Sequence, residues 1–319
     1  STPRGNSFKS LISNQNEEIY RMKNKILGTV MGAALLAGTG AASAGVMDTL
    51  STMKNSDNWS ASVGFSSDYV FRGTTFNYGD ASIFGGFEWS NGPWFAGVWA
   101  TSQGDLDLNN GFGLANGGAT MELDYYVGWA DNVAGFDLMV MPLAFTYPGQ
   151  EGGGFQGQHT RNDLTYELWT SIGRGFDSLP GSPYVTLGLN YAPWFFDHDA
   201  VADANAGGFS GGNSPRALYS SLNVAVSLPQ GFGLDWTWAN QDVGGEFSSG
   251  SPRNDYFGDD WTHWNVGLTK SVAGFDMDVR YHDNNNARKL DAWFGFNFAL
   301  DGDIVWTISQ IGRASCRER

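Results

Sequence analysis

The sequence predicts an all-β protein, a transmembrane antiparallel up-and-down β-barrel of about twelve to fourteen strands. Three observations carry that prediction. First, side chains alternate with a period of two over segments of about nine to eleven residues, the length a tilted strand needs to cross a bilayer. In Phe275-Asp276-Met277-Asp278-Val279-Arg280-Tyr281-His282 one side is apolar and the other charged, so the strand offers one face to an apolar medium and one to water. The pattern returns in Met121-Leu123-Tyr125-Val127-Trp129 against Glu122-Asp124-Tyr126-Gly128, and in Leu218 to Leu228, Phe232 to Trp238 and Leu290 to Phe298. Second, the connections alternate between short and long. Third, 13 Trp are spread along the chain, many near expected strand ends, as in an interfacial girdle. The 44 Gly suit strands that must curve.

Taken in order, residues 1–21 read as translated upstream sequence. Residues 22–44 read as a secretory signal peptide: Met22, a basic start at Lys23 and Lys25, an apolar run from Ile26, and a small-residue cleavage pattern at Ala42-Ser43-Ala44. Residues 45–58 form a lead-in. Strands are expected at 59–71, 81–90, 93–101, 119–130, 135–146, 163–173, 183–192, 217–228, 231–240, 261–271, 274–283, 289–299 and 302–309. The short connections are Asn91 to Pro93, Asp131 to Gly135, Pro229 to Gly231 and Ser271 to Gly274. The long ones, about 102–118, 147–162, 193–216 and 241–260, are rich in Gly, Asn, Asp and Ser. Short periplasmic turns and long external loops would produce that alternation. Thirteen is odd, whereas single-chain bacterial barrels have even strand numbers. Either twelve strands close the barrel and 302–309 is a tail, or a fourteenth strand lies beyond the chain. Residues 311–319 read as a translated sequencing adapter, which leaves 45–310 as the barrel.

That trimming removes Cys316, the only cysteine, and with it disulfide, thiol and zinc-thiolate chemistry. Residues 45–310 hold ten Lys and Arg against thirty Asp and Glu, a net charge of −20. Such a chain repels nucleic acid and attracts cations. Alternation alone does not distinguish inside from outside, so a soluble sandwich or calyx is the competing architecture.

The string Ser67-Asp68-Tyr69-Val70-Phe71-Arg72-Gly73 resembles the opening motif of the TorF-type porins, a family of Gram-negative outer-membrane proteins. The resemblance continues through Gly85-Gly86-Phe87, FAGVWA at 95–100, MELDYYVGW at 121–129, Tyr147-Pro148-Gly149, WTHWNVGLTK at 261–270 and Tyr281-His282-Asp283. It covers most of 59–300 and implies an outer-membrane barrel acting as a porin, with undefined substrate and no catalytic residues.

In a barrel, the polar face lines the lumen. Glu122, Asp124, Asp163, Glu167, Asp235, Asp276, Asp278 and Asp291 fall there, against Arg280 and His282. That excess favours a cation-preferring pore; the competing reading is a narrow lumen filled by paired groups. Asp68 and Arg72 are a candidate constriction, with a strand-end arginine at headgroup level as the alternative. Asp105 to Asn116 resembles a calcium loop but places glycine seventh and Asn twelfth, which fails the pattern. No cofactor or metal site is expected.

The histidines His159, His198, His263 and His282 show no metal spacing. His198 or His263 beside a loop carboxylate is the base of an alternative barrel hydrolase, although no G-x-S-x-G occurs. The favoured expectation is not an enzyme but a passive channel for small hydrophilic solutes or ions, exported to the bacterial outer membrane. A non-conducting structural or adhesin barrel is the other alternative. Expected partners are outer-membrane lipid, lipopolysaccharide, the barrel-assembly machinery and small solutes or cations, with no nucleic acid.

Overall fold

The computed structural model describes residues 58–104, 120–148, 164–193, 217–242, 260–285 and 301–313. The strands are β1 (Trp59–Ser66), β2 (Val70–Phe71), β3 (Thr74–Thr75), β4 (Ser82–Asn91), β5 (Trp94–Ser102), β6 (Met121–Val133) and β7 (Phe136–Thr146). They continue with β8 (Leu164–Gly175), β9 (Tyr184–Ala192), β10 (Ala217–Leu228), β11 (Phe232–Asp242), β12 (Trp261–Val272), β13 (Phe275–Asn284) and β14 (Asp301–Arg313). Twelve of them, β1 and β4 to β14, form a closed antiparallel barrel in which each strand pairs with its neighbours in the ring. β2 and β3 pair separately as a two-stranded hairpin.

Closure runs through β14, which pairs with β13 on one side and with β1 on the other. Residues 302–309 are therefore not a tail. They lie inside the closing strand, and leaving them out would expose the unpaired backbone edges of β1 and β13. Ile311, Gly312 and Arg313 continue that strand opposite Ser62, Ala61 and Ser60. The first strand also differs from expectation: it stops at Ser66, not residue 71. Residues 1–57, 105–119, 149–163, 194–216, 243–259, 286–300 and 314–319 lie outside the described residues, so the leader, the calcium-like loop, the expected strand 289–299, Asp163, Asp291, His159, His198 and Cys316 do too.

The short turns close with left-handed residues. Ala134-Gly135, Gln230-Gly231 and Ala273-Gly274 all have positive φ, the conformation whose twist matches a tight hairpin. They cluster at one end of the barrel, and the strand ends that lead into the long connections lie at the other.

The two faces are inverted relative to a soluble protein. Ile304 is 68 % exposed, Phe87 63 % and Ile83 59 %, whereas Asp124 is 0 % exposed and Glu122 1 %. On β6, exposed Met121, Tyr125 and Val127 alternate with buried Glu122, Asp124 and Tyr126; on β13, exposed Met277 and Val279 alternate with buried Arg280 and His282. Water penalises an apolar outer belt of this extent, and a bilayer does not. The sandwich alternative buries its apolar face and is excluded by this arrangement. No helix among the described residues is long and apolar enough to span a membrane.

The interior is not uniformly polar. β7 turns Met141, Leu143 and Phe145 inward, all buried, and Trp99, Trp169 and Trp261 are buried as well. These tryptophans do not belong to an outer girdle.

Candidate functional site

The buried aromatics have a common cause: the hairpin β2–β3 folds into the lumen from the long-connection end. Its tip is Arg72-Gly73, with φ of 51° and 78°, the same left-handed pair that makes the short barrel turns. A Cβ on Gly73 would lie 2.6 Å from His263 Cβ, so the tip presses against β12. Within the hairpin, Thr74 Oγ1 donates to the Phe71 carbonyl (2.6 Å), Thr75 Oγ1 to Asp68 Oδ1 (2.7 Å) and Phe76 N to the Tyr69 carbonyl (2.7 Å).

Aromatic packing docks it. Phe71 meets Phe76 and Phe145 edge-on, each at 5.8 Å between centroids, and stacks on Trp169 at 6.5 Å. Tyr69 lies 5.8 Å from Trp99. The tip is also tied to the wall by polar contacts, with Trp261 Nε1 donating to the Arg72 carbonyl at 2.9 Å and Asn284 Nδ2 to the Gly73 carbonyl at 3.1 Å.

The Arg72 guanidinium is the centre of this region. Nη1 donates to Glu167 Oε1 (3.0 Å) and Gln241 Oε1 (2.8 Å), and Nη2 pairs with Glu167 Oε2. Its carbon lies 4.5 Å from the Tyr219 ring centroid, 4.6 Å from Phe71 and 5.4 Å from Trp169. Aromatic faces attract a cation most strongly where water is excluded. Arg72 Nε has no partner among the described residues.

Beside this pair lies further negative charge. Tyr69 Oη donates to Glu122 Oε1 at 2.6 Å, while neither oxygen of fully buried Asp124 accepts a hydrogen bond among the described residues. Outside the spanning strands, burial raises the Tyr69 and Tyr147 hydroxyls well above the usual range, and the Glu122 and Asp124 charges add to it. Both phenols therefore stay protonated and remain donors. Burial likewise pushes the Asp68 carboxyl up to about 6, against the hydrogen bonds it receives from Thr75 and the Tyr69 and Gly79 amides.

A second arginine lies nearer the short-turn end. Arg280 donates to both oxygens of Asp235 (2.7 and 2.8 Å), to both of Asp278 (2.9 and 3.3 Å) and to Asn265 Oδ1 (2.6 Å). Gly267, on the neighbouring strand, leaves the space: a Cβ there would lie 2.4 Å from the guanidinium carbon.

The sequence-predicted lumen residues thus separate into two groups. Glu122, Asp124 and Glu167 gather around the hairpin, and Asp235, Asp278 and Arg280 form the second cluster. His282 is buried on the inner face two positions beyond Arg280, and Asp276 is exposed near the turn, bonded to Ser271. Asp68 and Arg72 do not pair with each other, since Asp68 bonds Thr75 and Arg72 bonds Glu167. Arg72 is not a headgroup-level arginine either: the chain turns inward after Ser66 and buries it to 7 % exposure. His263 is no outer-loop base, being buried at the start of β12 and sharing a hydrogen bond of 3.1 Å with Tyr219 Oη. Sequence reasoning missed Glu88, Trp169, Tyr219 and Gln241. The available signal for the hairpin was an X-Gly pair between Val70-Phe71 and Thr74-Thr75, the pattern of the short barrel turns.

A family profile described as "Bacterial protein of unknown function (Gcw_chp)" matches residues 52–310. The chain belongs to the Gcw_chp family. No curated protein matches it. Among solved structures, the Gcw_chp chain is similar to the COG4313 outer membrane channel from Pseudomonas putida F1, with 11 % identity over 79 % of this chain and 94 % of that one and a TM-score of 0.44. It is also similar to the translocator domain of the autotransporter NalP from Neisseria meningitidis, with 10 % identity over 93 % and 97 % and a TM-score of 0.34. A porin refined at 1.8 Å shares 10 % identity over 72 % of this chain, with a TM-score of 0.34, and the chain spans 60 % of that porin's length.

Proposed function

We propose that this Gcw_chp barrel is an outer-membrane channel of the TorF porin type, passing small hydrophilic solutes or ions through a lumen narrowed by the hairpin β2–β3. The observation that carries the reading is the inversion of faces: a closed ring of strands with an apolar outside and a charged inside. Transport requires no reaction, only water in the lumen and a field. Among described residues, Glu88, Glu122, Asp124, Glu167, Asp235 and Asp278 face inward against Arg72 and Arg280, which favours cations over anions. Lipid, lipopolysaccharide and the barrel-assembly machinery are the partners this location requires.

A second reading is favoured by the aromatic docking of the hairpin, which fills the upper lumen and fits a plugged structural barrel. One experiment separates the two. The barrel is placed in a planar bilayer under a salt gradient, intact and with residues 69–78 replaced by a short Gly-Ser linker. Cation-selective steps that grow several-fold on hairpin removal, and lose selectivity on substituting Glu122 and Asp124 by Gln and Asn, support the channel. A folded, inserted barrel that stays silent even without the hairpin overturns it.

A further inference from the structure

The wall of the barrel holds a guanidinium group in a site built almost entirely without the hairpin. Glu167 and Trp169 come from β8, Tyr219 from β10 and Gln241 from β11. Together they supply a two-oxygen carboxylate, a fixed amide acceptor and two aromatic faces. Glu167 is itself oriented by the Trp169 indole N–H. This is the acceptor and face pattern that a planar guanidinium reads and a compact ammonium does not. Both acceptors are buried, with Gln241 at 0 % and Glu167 at 3 % exposure, and neighbouring Asp124 is a buried carboxylate that accepts no hydrogen bond among the described residues. The site satisfies its tethered occupant incompletely, because Arg72 Nε has no partner among the described residues.

We propose that Glu167, Trp169, Tyr219 and Gln241 form a binding site for solutes bearing a guanidinium group, and that Arg72 occupies it as a tethered mimic of that solute. A soluble guanidinium competes with Arg72 and releases the hairpin tip, so the constriction opens to the cargo it recognises. The consequence for transport rests on the channel reading; the binding site does not. A tether of this length holds Arg72 at an effective concentration in the millimolar range, so the intact site binds free ligand weakly until the mimic is removed.

The test uses the full chain refolded in detergent micelles and titrated calorimetrically with methylguanidinium, with methylammonium as comparator. Arg72→Asn empties the site while retaining a residue that accepts the left-handed turn conformation. The expected result is that Arg72→Asn binds methylguanidinium about ten-fold or more tighter than the native chain does, the tethered competitor being gone. Methylammonium should bind poorly, and Glu167→Gln added to Arg72→Asn should abolish binding. Heat-modifiable migration on gels confirms that each variant is a folded barrel; Tyr219→Leu, which keeps both polar acceptors, replaces Glu167→Gln if that variant fails to fold. Absence of methylguanidinium binding by folded Arg72→Asn, or binding that is not weakened by loss of Glu167 or Tyr219, overturns the proposal. Binding in a barrel that never conducts upholds the site and removes the channel, whereas conduction without binding removes the site alone.

Discussion

The two lumen arginines meet similar groups and are held in opposite ways. Arg280 is anchored on β13, and Asp235, Asp278 and Asn265 use all five of its N–H groups. Arg72 is carried by a hairpin, pairs with one carboxylate and one amide, and rests against three aromatic rings with Nε unpartnered among the described residues. The first ties strand to strand, since β11, β12 and β13 all contribute. The second ties a separable segment to the wall. Similar chemistry thus serves barrel integrity in one place and occupancy of the lumen in the other.

The comparison breaks most visibly at Arg280. Arg280→Met leaves Asp235 and Asp278 facing each other without their cation, and should lower the unfolding free energy by about 2–4 kcal/mol, discounted because the Asp278 side chain is 22 % exposed. Urea unfolding in micelles measures it. Arg72→Asn should leave that midpoint nearly unchanged while amide hydrogen exchange at residues 70–75 rises. Equal destabilisation by the two variants would erase the distinction.

A smaller effect follows from pH. Docking raises the Asp68 carboxyl from its ordinary 3.8 to about 6, chiefly through burial, with a minor contribution from the Asp303 charge. Because the docked form holds the proton more tightly than the released form, docking is strongest below about pH 4. It weakens as pH rises from about 4 to about 6 and is level above that. A two-unit shift, discounted for the nearby aqueous mouth, is worth about 1–3 kcal/mol. Exchange at residues 70–75, corrected for its intrinsic pH dependence, should rise across that window, and Asp68→Asn should abolish the slope.

The barrel was legible because its cause is local and repeated: two-residue periodicity fixes which side chains of β6 or β13 share a face, whatever the rest of the chain does. Glu122 with Asp124, and Asp278 with Arg280, could be grouped on one polar face on that ground, and the expectation of a barrel placed that face inside. The hairpin was legible at most as a turn, in the Arg72-Gly73 pair, and not in its inward path. Val70-Phe71 alternates like any continuing strand, and only the tertiary space inside the ring determines that the chain turns inward at Ser67. The inner face of β7 shows the same limit, because Met141, Leu143 and Phe145 break the rule of a polar lumen, and Phe145 does so to receive Phe71. Which acid meets which base is likewise a matter of barrel register, absent from linear spacing.

The tip of the hairpin sharpens the contrast further. Gly73 combines a φ of 78° with a would-be Cβ contact of 2.6 Å at His263. Gly73→Ala should therefore weaken docking by about 1–2 kcal/mol from the left-handed backbone alone, with no change in the barrel's urea midpoint. Gly267→Ala, directed at Arg280, should instead lower the midpoint, since the new Cβ displaces a guanidinium that joins three strands.

The smallest effect isolates the aromatic contribution, which Arg280 lacks among the described residues. Tyr219 offers its ring face to Arg72 at 4.5 Å and its hydroxyl to His263. Tyr219→Phe keeps the face and loses the hydroxyl; Tyr219→Leu loses both. A desolvated cation–aromatic contact is worth about 0.5–2 kcal/mol, so Tyr219→Leu should raise exchange at residues 70–75 well above that of Tyr219→Phe. In an Arg72→Asn background the two should become indistinguishable, because no cation remains to sense the ring. A difference that persists there would assign Tyr219 to packing against His263, and the hairpin would then be held by its aromatic contacts and not by its charge.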